Sequence, residues 1–539
     1  MKGLPYMPYE GGKYQQKIIQ FGGIRYGRGG SDGELAESVN LSARQYPALS
    51  QRMERAEAGS YAAATAVFGK GKLCVVDGTK FLYDGVEKGT VTEGEKQIVS
   101  INTKIVIWPD MVCYDTEADE FSSLWKKVKV PASKATFTGN TLTVQEFTVV
   151  TGKDEEGEEG GADPAAEEEE TTIKLEDLFK ENQAVEIAGA SIEANNKEIV
   201  IRKVEGNTLT FYNDSFTAGD SSTELTIERR VPDLKIICAS NNRVWGADDT
   251  TIWASALGDP FTWYNYDGLS TDSYAVAVGT DGPFTGCVEY GSNVLFFKED
   301  KLHKVIGTSP KDYAIYTYTI QGIQNGSMRS AQVINEVLYY KGAEGVYAYN
   351  GGVPYLVSEN FGTRRYGSAR AASDGQRYYI SMQDAETKEW GLWTLDTLRN
   401  IWLKEDDTHV LEFATLEGEL LFLGEDGKNL YKMGQPDQEG KRIKWSATFY
   451  PMEENTHSRK GYSRLLMRME LAPGAWAKAE IKEDLGPWKT LSTVHGQRVR
   501  TAHVTFLPGR CDTFQIRLSG EGRCVVKSLV REFDMGSEV

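Results

Sequence analysis

The residues able to do chemistry are few and scattered. The five histidines are His303, His409, His457, His495 and His503. None falls in HExxH or HxH spacing, and none stands beside a cysteine pair. A transition-metal centre needs several clustered nitrogen or sulfur ligands, so no metal site is expected. The six cysteines, Cys74, Cys113, Cys238, Cys287, Cys511 and Cys524, lie far apart without a CxxC. That spacing suits buried free thiols in a chain made in the cytoplasm. Gly27-Arg28-Gly29-Gly30-Ser31 is glycine-rich but lacks the flanking strand and helix of a phosphate loop, so it reads as a flexible segment. The acid pairs Asp248-Asp249, Asp406-Asp407 and Glu453-Glu454 read as solvated turn residues, since no spacing sets two carboxylates across a groove. Calcium loops of DxDxDG type do not occur. No catalytic residue, cofactor or metal is assigned, and the chain is not expected to be an enzyme.

The aromatic clusters carry more information. Trp245, Trp253, Trp263, Tyr264 and Tyr266 crowd one segment, and Trp390, Trp393 and Trp402 another. Two roles fit such residues. Large rings can fill the wedges between neighbouring sheets, or exposed rings can stack on sugars. Packing is the favoured reading for Trp245, Trp253, Trp263, Trp390 and Trp393, with glycan contact as the alternative.

The elements that would hold these residues are strands. A recurring pattern runs apolar strand, glycine-rich or polar turn, aromatic strand. It appears as Lys72 to Val76 with Phe81 to Tyr83, and as Val294 to Phe297 with Leu302 to Ile306. It returns as Val337 to Tyr340 with Val346 to Tyr349, as Tyr378 to Ile380 with Trp390 to Leu395, and as Leu420 to Leu423 with Leu430-Tyr431. Each is a hairpin signal, and the spacing in the second half is that of β-propeller blades. Residues 59–130 and 232–440 are therefore assigned to a propeller. Residues 131–231 break the rhythm and read as an inserted small β-barrel domain. Within it, Asp154 to Glu170 holds ten acids and no base, a composition expected to be disordered. Residues 441–539 alternate as six strands of a β-sandwich, beginning with Lys444 to Tyr450. Residues 1–58 read as an irregular arm with one short helix from Arg44 to Glu57. The expected fold class is all-β throughout.

Composition sets further bounds. The chain has 539 residues and a net charge of −18, with 40% hydrophobic and 11% aromatic residues. That is enough apolar material for several cores. Residues 441–539 carry +6 and residues 1–58 carry +2, so the acidity is concentrated between them. Such a chain is a poor wrapper of nucleic acid, whose phosphates need cations. No apolar run approaches the ~18 residues of a membrane helix. Met1 to Glu10 lacks the charged-then-apolar pattern of an export signal.

One segment carries a resemblance. Asn242-Arg243-Val244-Trp245-Gly246-Ala247 is followed by Thr251-Ile252-Trp253-Ala254-Ser255 and then Gly258-Asp259-Pro260-Phe261-Thr262-Trp263-Tyr264. This resembles a blade of the bacteriophage tail nozzle proteins, the distal tail-tube β-propellers of short-tailed phages. Val337-Leu338-Tyr339-Tyr340 through Asn350-Gly351 looks like another blade of that family. The opening Phe21-Gly22-Gly23-Ile24 with Leu35 to Leu41 is similar to the family's start, and Val525 to Ser537 to related phage endings. The resemblance implies a virion structural protein made in the host cytoplasm. It implies a homo-hexameric ring below the tail adaptor, in contact with other tail proteins, that extends and gates the DNA-ejection conduit. DNA would pass through the lumen without sequence-specific binding, past an acidic wall that repels it. Two other functions compete with this one: a host-surface carbohydrate-binding propeller, and a glycosidase with carboxylates near the central channel.

Overall fold

The structure, a computed structural model, describes residues 13–27, 29–150, 173–212, 216–436, 442–496, 500–507 and 509–535. The acidic stretch Asp154 to Glu170, expected to be disordered, lies outside the described residues. The chain is all-β, with Leu175–Leu178 the one short α-helix among the described residues. It divides into two compact units, residues 74–319 and residues 1–73 with 320–539.

The recurring element in both is a four-stranded antiparallel meander, the blade of a β-propeller. In the unit of residues 74–319, one blade runs Gln97–Ile101, Lys104–Trp108, Val112–Asp115, Glu120–Ser123. A second runs Ile236–Ser240, Arg243–Ala247, Thr251–Ala254, Tyr274–Ala277. A third runs Gly286–Tyr290, Asn293–Phe297, Lys301–Ile306, Ala314–Thr319. The first strands of these blades stand side by side in that order. Turn chemistry sets the hairpins: Asn241 and Asn242 both take positive φ (49° and 57°) between Ser240 and Arg243. That is the two-residue turn whose twist matches antiparallel strands.

An inserted domain separates two of these blades. It begins at Lys126–Val130 and ends at Leu225–Arg229, strands that pair with each other. Its nine strands share a core of its own, including Phe137, Leu142, Phe179, Ile201, Phe211 and Ile227. The expected small barrel is an open sheet among the described residues. Its end strands, Thr148–Val150 and Gly219–Asp220, each pair on one side only.

The other unit holds three further blades. They start at Gln332–Ile334, Tyr366–Ser373 and Val410–Leu416. The last has only three consecutive strands, and its fourth is Glu54–Ser60, which pairs with Asn429–Gln435. The strand Ala64–Lys70 then packs along Val410–Leu416. A Cβ at Gly69 would lie 2.0 Å from the Thr415 carbonyl oxygen, so that approach requires glycine.

The remainder of this unit is a β-sandwich. One sheet orders Leu41–Ser42, Leu49–Gln51, Cys524–Met535, Lys460–Leu471 and Arg500–Thr505, with Lys13–Ile18 on Cys524–Met535. The other orders Gly23–Ile24, Glu34–Val39, Lys444–Phe449, Phe514–Glu521, Trp476–Glu483 and Lys489–His495. Both contribute to one core, where Tyr462 stacks on Phe514 at 4.0 Å.

The N-terminal segment therefore differs from the expected irregular arm. Residues 13 to 51 supply strands to both sheets of the sandwich, and 54 to 60 close a blade. Ile18, Phe21, Ile24, Leu35, Leu41 and Leu49 are all in the sandwich core. The strands they pack with come largely from the far end of the chain, between Lys444 and Met535, so local periodicity does not report them. The expected helix from Arg44 to Glu57 is instead Leu49–Gln51 and Glu54–Ser60. Gly23 is needed where this segment meets a blade: its φ is +83°, and a Cβ would lie 2.5 Å from the Trp402 carbonyl oxygen.

Candidate functional site

Of the five tryptophans expected to pack or stack on sugars, Trp245 and Trp263 fill wedges between blades. Trp263 is fully buried and meets Trp108 of the preceding blade edge-on at 6.1 Å. Its indole N–H donates to the Pro260 carbonyl at 2.8 Å. Trp245, also buried, points to the following blade and packs on Phe296 and Tyr313. Trp253 is partly buried against Tyr264, and its N–H donates to Asp248 Oδ2 at 2.8 Å. Trp393 is buried against Tyr366 and Phe361. Trp390 is partly buried with its face covered by His409, the rings 3.6 Å apart and nearly parallel. None of these five rings is exposed.

The motif around Trp245 is held by side-chain bonds to the backbone. Arg243 is buried, and Nη1 donates to the carbonyls of Ser255 (2.7 Å) and Asp272 (2.5 Å). Its Nη2 donates to the Ser270 carbonyl at 2.7 Å. One guanidinium thus ties the second strand of the blade to the loop that returns from the third. Ser255 Oγ accepts from the Val244 N–H, and Asp259 caps Phe261 and Thr262.

The other candidates resolve as follows. Gly29-Gly30-Ser31-Asp32-Gly33 has the spelling of a Gly-x-Ser-x-Gly nucleophile motif. Ser31 nevertheless lies in a turn before the strand Glu34–Val39, its N–H donating to Glu34 Oε2, and not on a strand-to-helix elbow. His303 is fully buried between Thr280 Oγ1 (3.0 Å) and Thr317 Oγ1 (2.9 Å). Burial, with Lys298 and Lys301 nearby, pushes its pKa down to about 4. Among the described residues no three His, Cys, Asp or Glu side chains group as metal ligands.

Two of the acid pairs read as solvated are held by arginines. Glu454 is buried against Arg531, which also reaches Asp32, and accepts from Tyr462 OH at 3.0 Å. Asp406 receives Arg55 Nη1 at 2.8 Å, while Arg55 Nη2 donates to Glu405 at 2.8 Å. Burial opposes the charge of Arg55, yet Glu405 and Asp406 outweigh it and raise its pKa. Arg52 lies beside this group, with Nε on Asn40 Oδ1 at 2.6 Å. Sequence reasoning missed these arginines because their acids stand far along the chain and no local spacing joins them.

Next to this network is a cleft. It has a volume of about 370 Å³ and is lined by Arg44, Asp374, Arg377, Tyr379 and Gln435 among others. Asp374 is its anchor. Oδ1 accepts the N–H groups of Gln376 (3.1 Å) and Arg377 (2.8 Å). Oδ2 accepts from Tyr379 OH and Arg44 Nη2, both at 3.0 Å, and faces Arg377 Nη1 at 3.5 Å. Burial opposes the Asp374 charge, but these backbone and side-chain donors pull its pKa below the usual carboxylate range.

Neither a protein-family profile nor a curated protein matches the chain. Several solved structures are similar in part. BamB from Moraxella catarrhalis is 11% identical, with a TM-score of 0.32, covering 72% of this chain and 99% of its own. The phage phi92 endosialidase is 10% identical, with a TM-score of 0.26, covering 73% and 70%. An exo-β-1,3-galactanase from Phanerochaete chrysosporium is 9% identical, with a TM-score of 0.22, covering 54% and 92%. At these scores the likeness carries no argument about activity or partners.

Proposed function

We propose that this chain is a structural component of a phage tail, the nozzle ring that extends and gates the DNA-ejection conduit. One observation carries the reading: the residues of the motif that resembles nozzle proteins build the blade itself. Arg243, Ser255, Asp259 and Trp263 are spent on backbone carbonyls, caps and the wedge. The interlacing of the segment from Lys13 to Ser60 with the sandwich and a blade suits a part under mechanical load, because that segment cannot peel away without breaking a sheet. Assembly as a homo-hexamer on a tail adaptor, in a virion, follows from the same reading. A cyclic ring needs two different faces on each subunit, and the charge supplies the asymmetry. Residues 74–319 carry −21 and the other unit +3. Mass photometry of the purified protein tests this: the reading expects a species about six times the 59.9 kDa chain. A monomer at all concentrations speaks against it.

A further inference from the structure

We propose that the cleft above Asp374 binds an acidic saccharide, with the sugar carboxylate on Arg44 and Arg377. This site does not depend on the ring reading. Three features carry it. The first is charge: one carboxylate, Asp374, is shared by two guanidiniums, which leaves a net cation at the cleft wall. The other nearby carboxylate, Glu419, is paired with Lys432. The second is unmet donor capacity. Arg44 uses only Nη2 among the described residues, and Arg377 makes one long contact, Nη1 to Asp374 at 3.5 Å. A planar carboxylate matches the guanidinium fork.

The third feature is the remaining wall. Gln376 and Gln435 present amides, and Leu420 and Met433 present an apolar surface. A pyranose offers hydroxyls to amides and a C–H face to apolar side chains, whereas a bare phosphate would use only the arginines. The 370 Å³ volume is within the usual range for small-molecule sites and holds one sugar ring. A second space of about 250 Å³ is also lined by Arg44 and Gln435, beside Gln51 and Arg523.

The test is saturation-transfer NMR on the full-length protein with D-glucuronate, D-glucose and inorganic phosphate as probes. Glucuronate is expected to bind at least roughly tenfold more tightly than glucose, the difference being the carboxylate–arginine pair. Arg377→Gln is expected to remove that difference while leaving the thermal melt cooperative. If Arg377→Gln does not fold, Gln435→Ala serves instead, and it should weaken glucuronate and leave phosphate unchanged. The proposal is overturned if glucuronate gives no saturable signal. It is also overturned if the variants bind it like the parent chain, or if phosphate displaces it at lower concentration than glucuronate itself needs, which would make this a phosphate site.

Discussion

Trp263 shows what the large side chains of this protein do. Its ring is shared between two blades, and no rearrangement of one blade alone can refill its volume. Trp263→Ala should lower stability by ~3 kcal/mol or more, read as a fall in the urea midpoint. An unchanged midpoint would return the ring to the surface. Arg243 is as exacting by another route. Arg243→Met keeps the apolar stem but leaves two buried carbonyls, of Ser255 and Asp272, without that donor, at about 1–3 kcal/mol each, and releases the partly buried Ser270 carbonyl. It should destabilise at least as much as Trp263→Ala. His303 adds a pH term. Its folded pKa, about 4, is below the ordinary histidine value near 6.5. The neutral ring's contribution is therefore complete above pH 6.5. It is lost as pH falls toward 4, because the unfolded chain takes the proton first. The stability gap between the parent chain and His303→Gln should shrink by up to about 3 kcal/mol from pH 7 to pH 4, measured by chemical denaturation at each pH. A constant gap would place His303 in contact with water.

At the scale of elements, the strand that closes a blade and the strands that complete the sandwich come from the segment between Lys13 and Ser60. Deleting residues 13–24 removes Lys13–Ile18 from Cys524–Met535 and Gly23–Ile24 from Glu34–Val39, and takes Ile18, Phe21 and Ile24 from the core. The product should be insoluble or lose the cooperative melt of the sandwich, and a soluble product with the parent melting temperature would show that these strands are dispensable. The sequence makes the local parts legible. All five hairpins it predicts, from Lys72 to Leu430-Tyr431, are the middle strands of blades, because hairpin turns and alternation are local signals. The sandwich strands from Lys444 to Phe533 are legible for the same reason, with Lys489–His495 the longest overlooked. What is not legible is long-range pairing. Glu54–Ser60 has no periodic signature of its own, and it is a strand because Asn429–Gln435 supplies its hydrogen bonds. The cleft is hidden likewise, since Arg44 and Asp374 are joined only by the fold.

At the scale of the whole molecule, charge and assembly are the linked questions. A unit at −21 and a unit at +3 favour contacts between unlike surfaces of neighbouring copies. Association through such surfaces weakens as salt shortens the screening length from ~10 Å at 0.1 M toward ~3 Å at 1 M. The ring population in mass photometry should therefore fall with added salt, and a salt-insensitive ring would assign the contacts to apolar surface instead. A place in a virion can be seen directly on the particle. Antibody raised to this protein, used for immunogold electron microscopy of particles from its source, should label the distal end of a short tail. Particles that carry no gold at the tail tip would contradict the account.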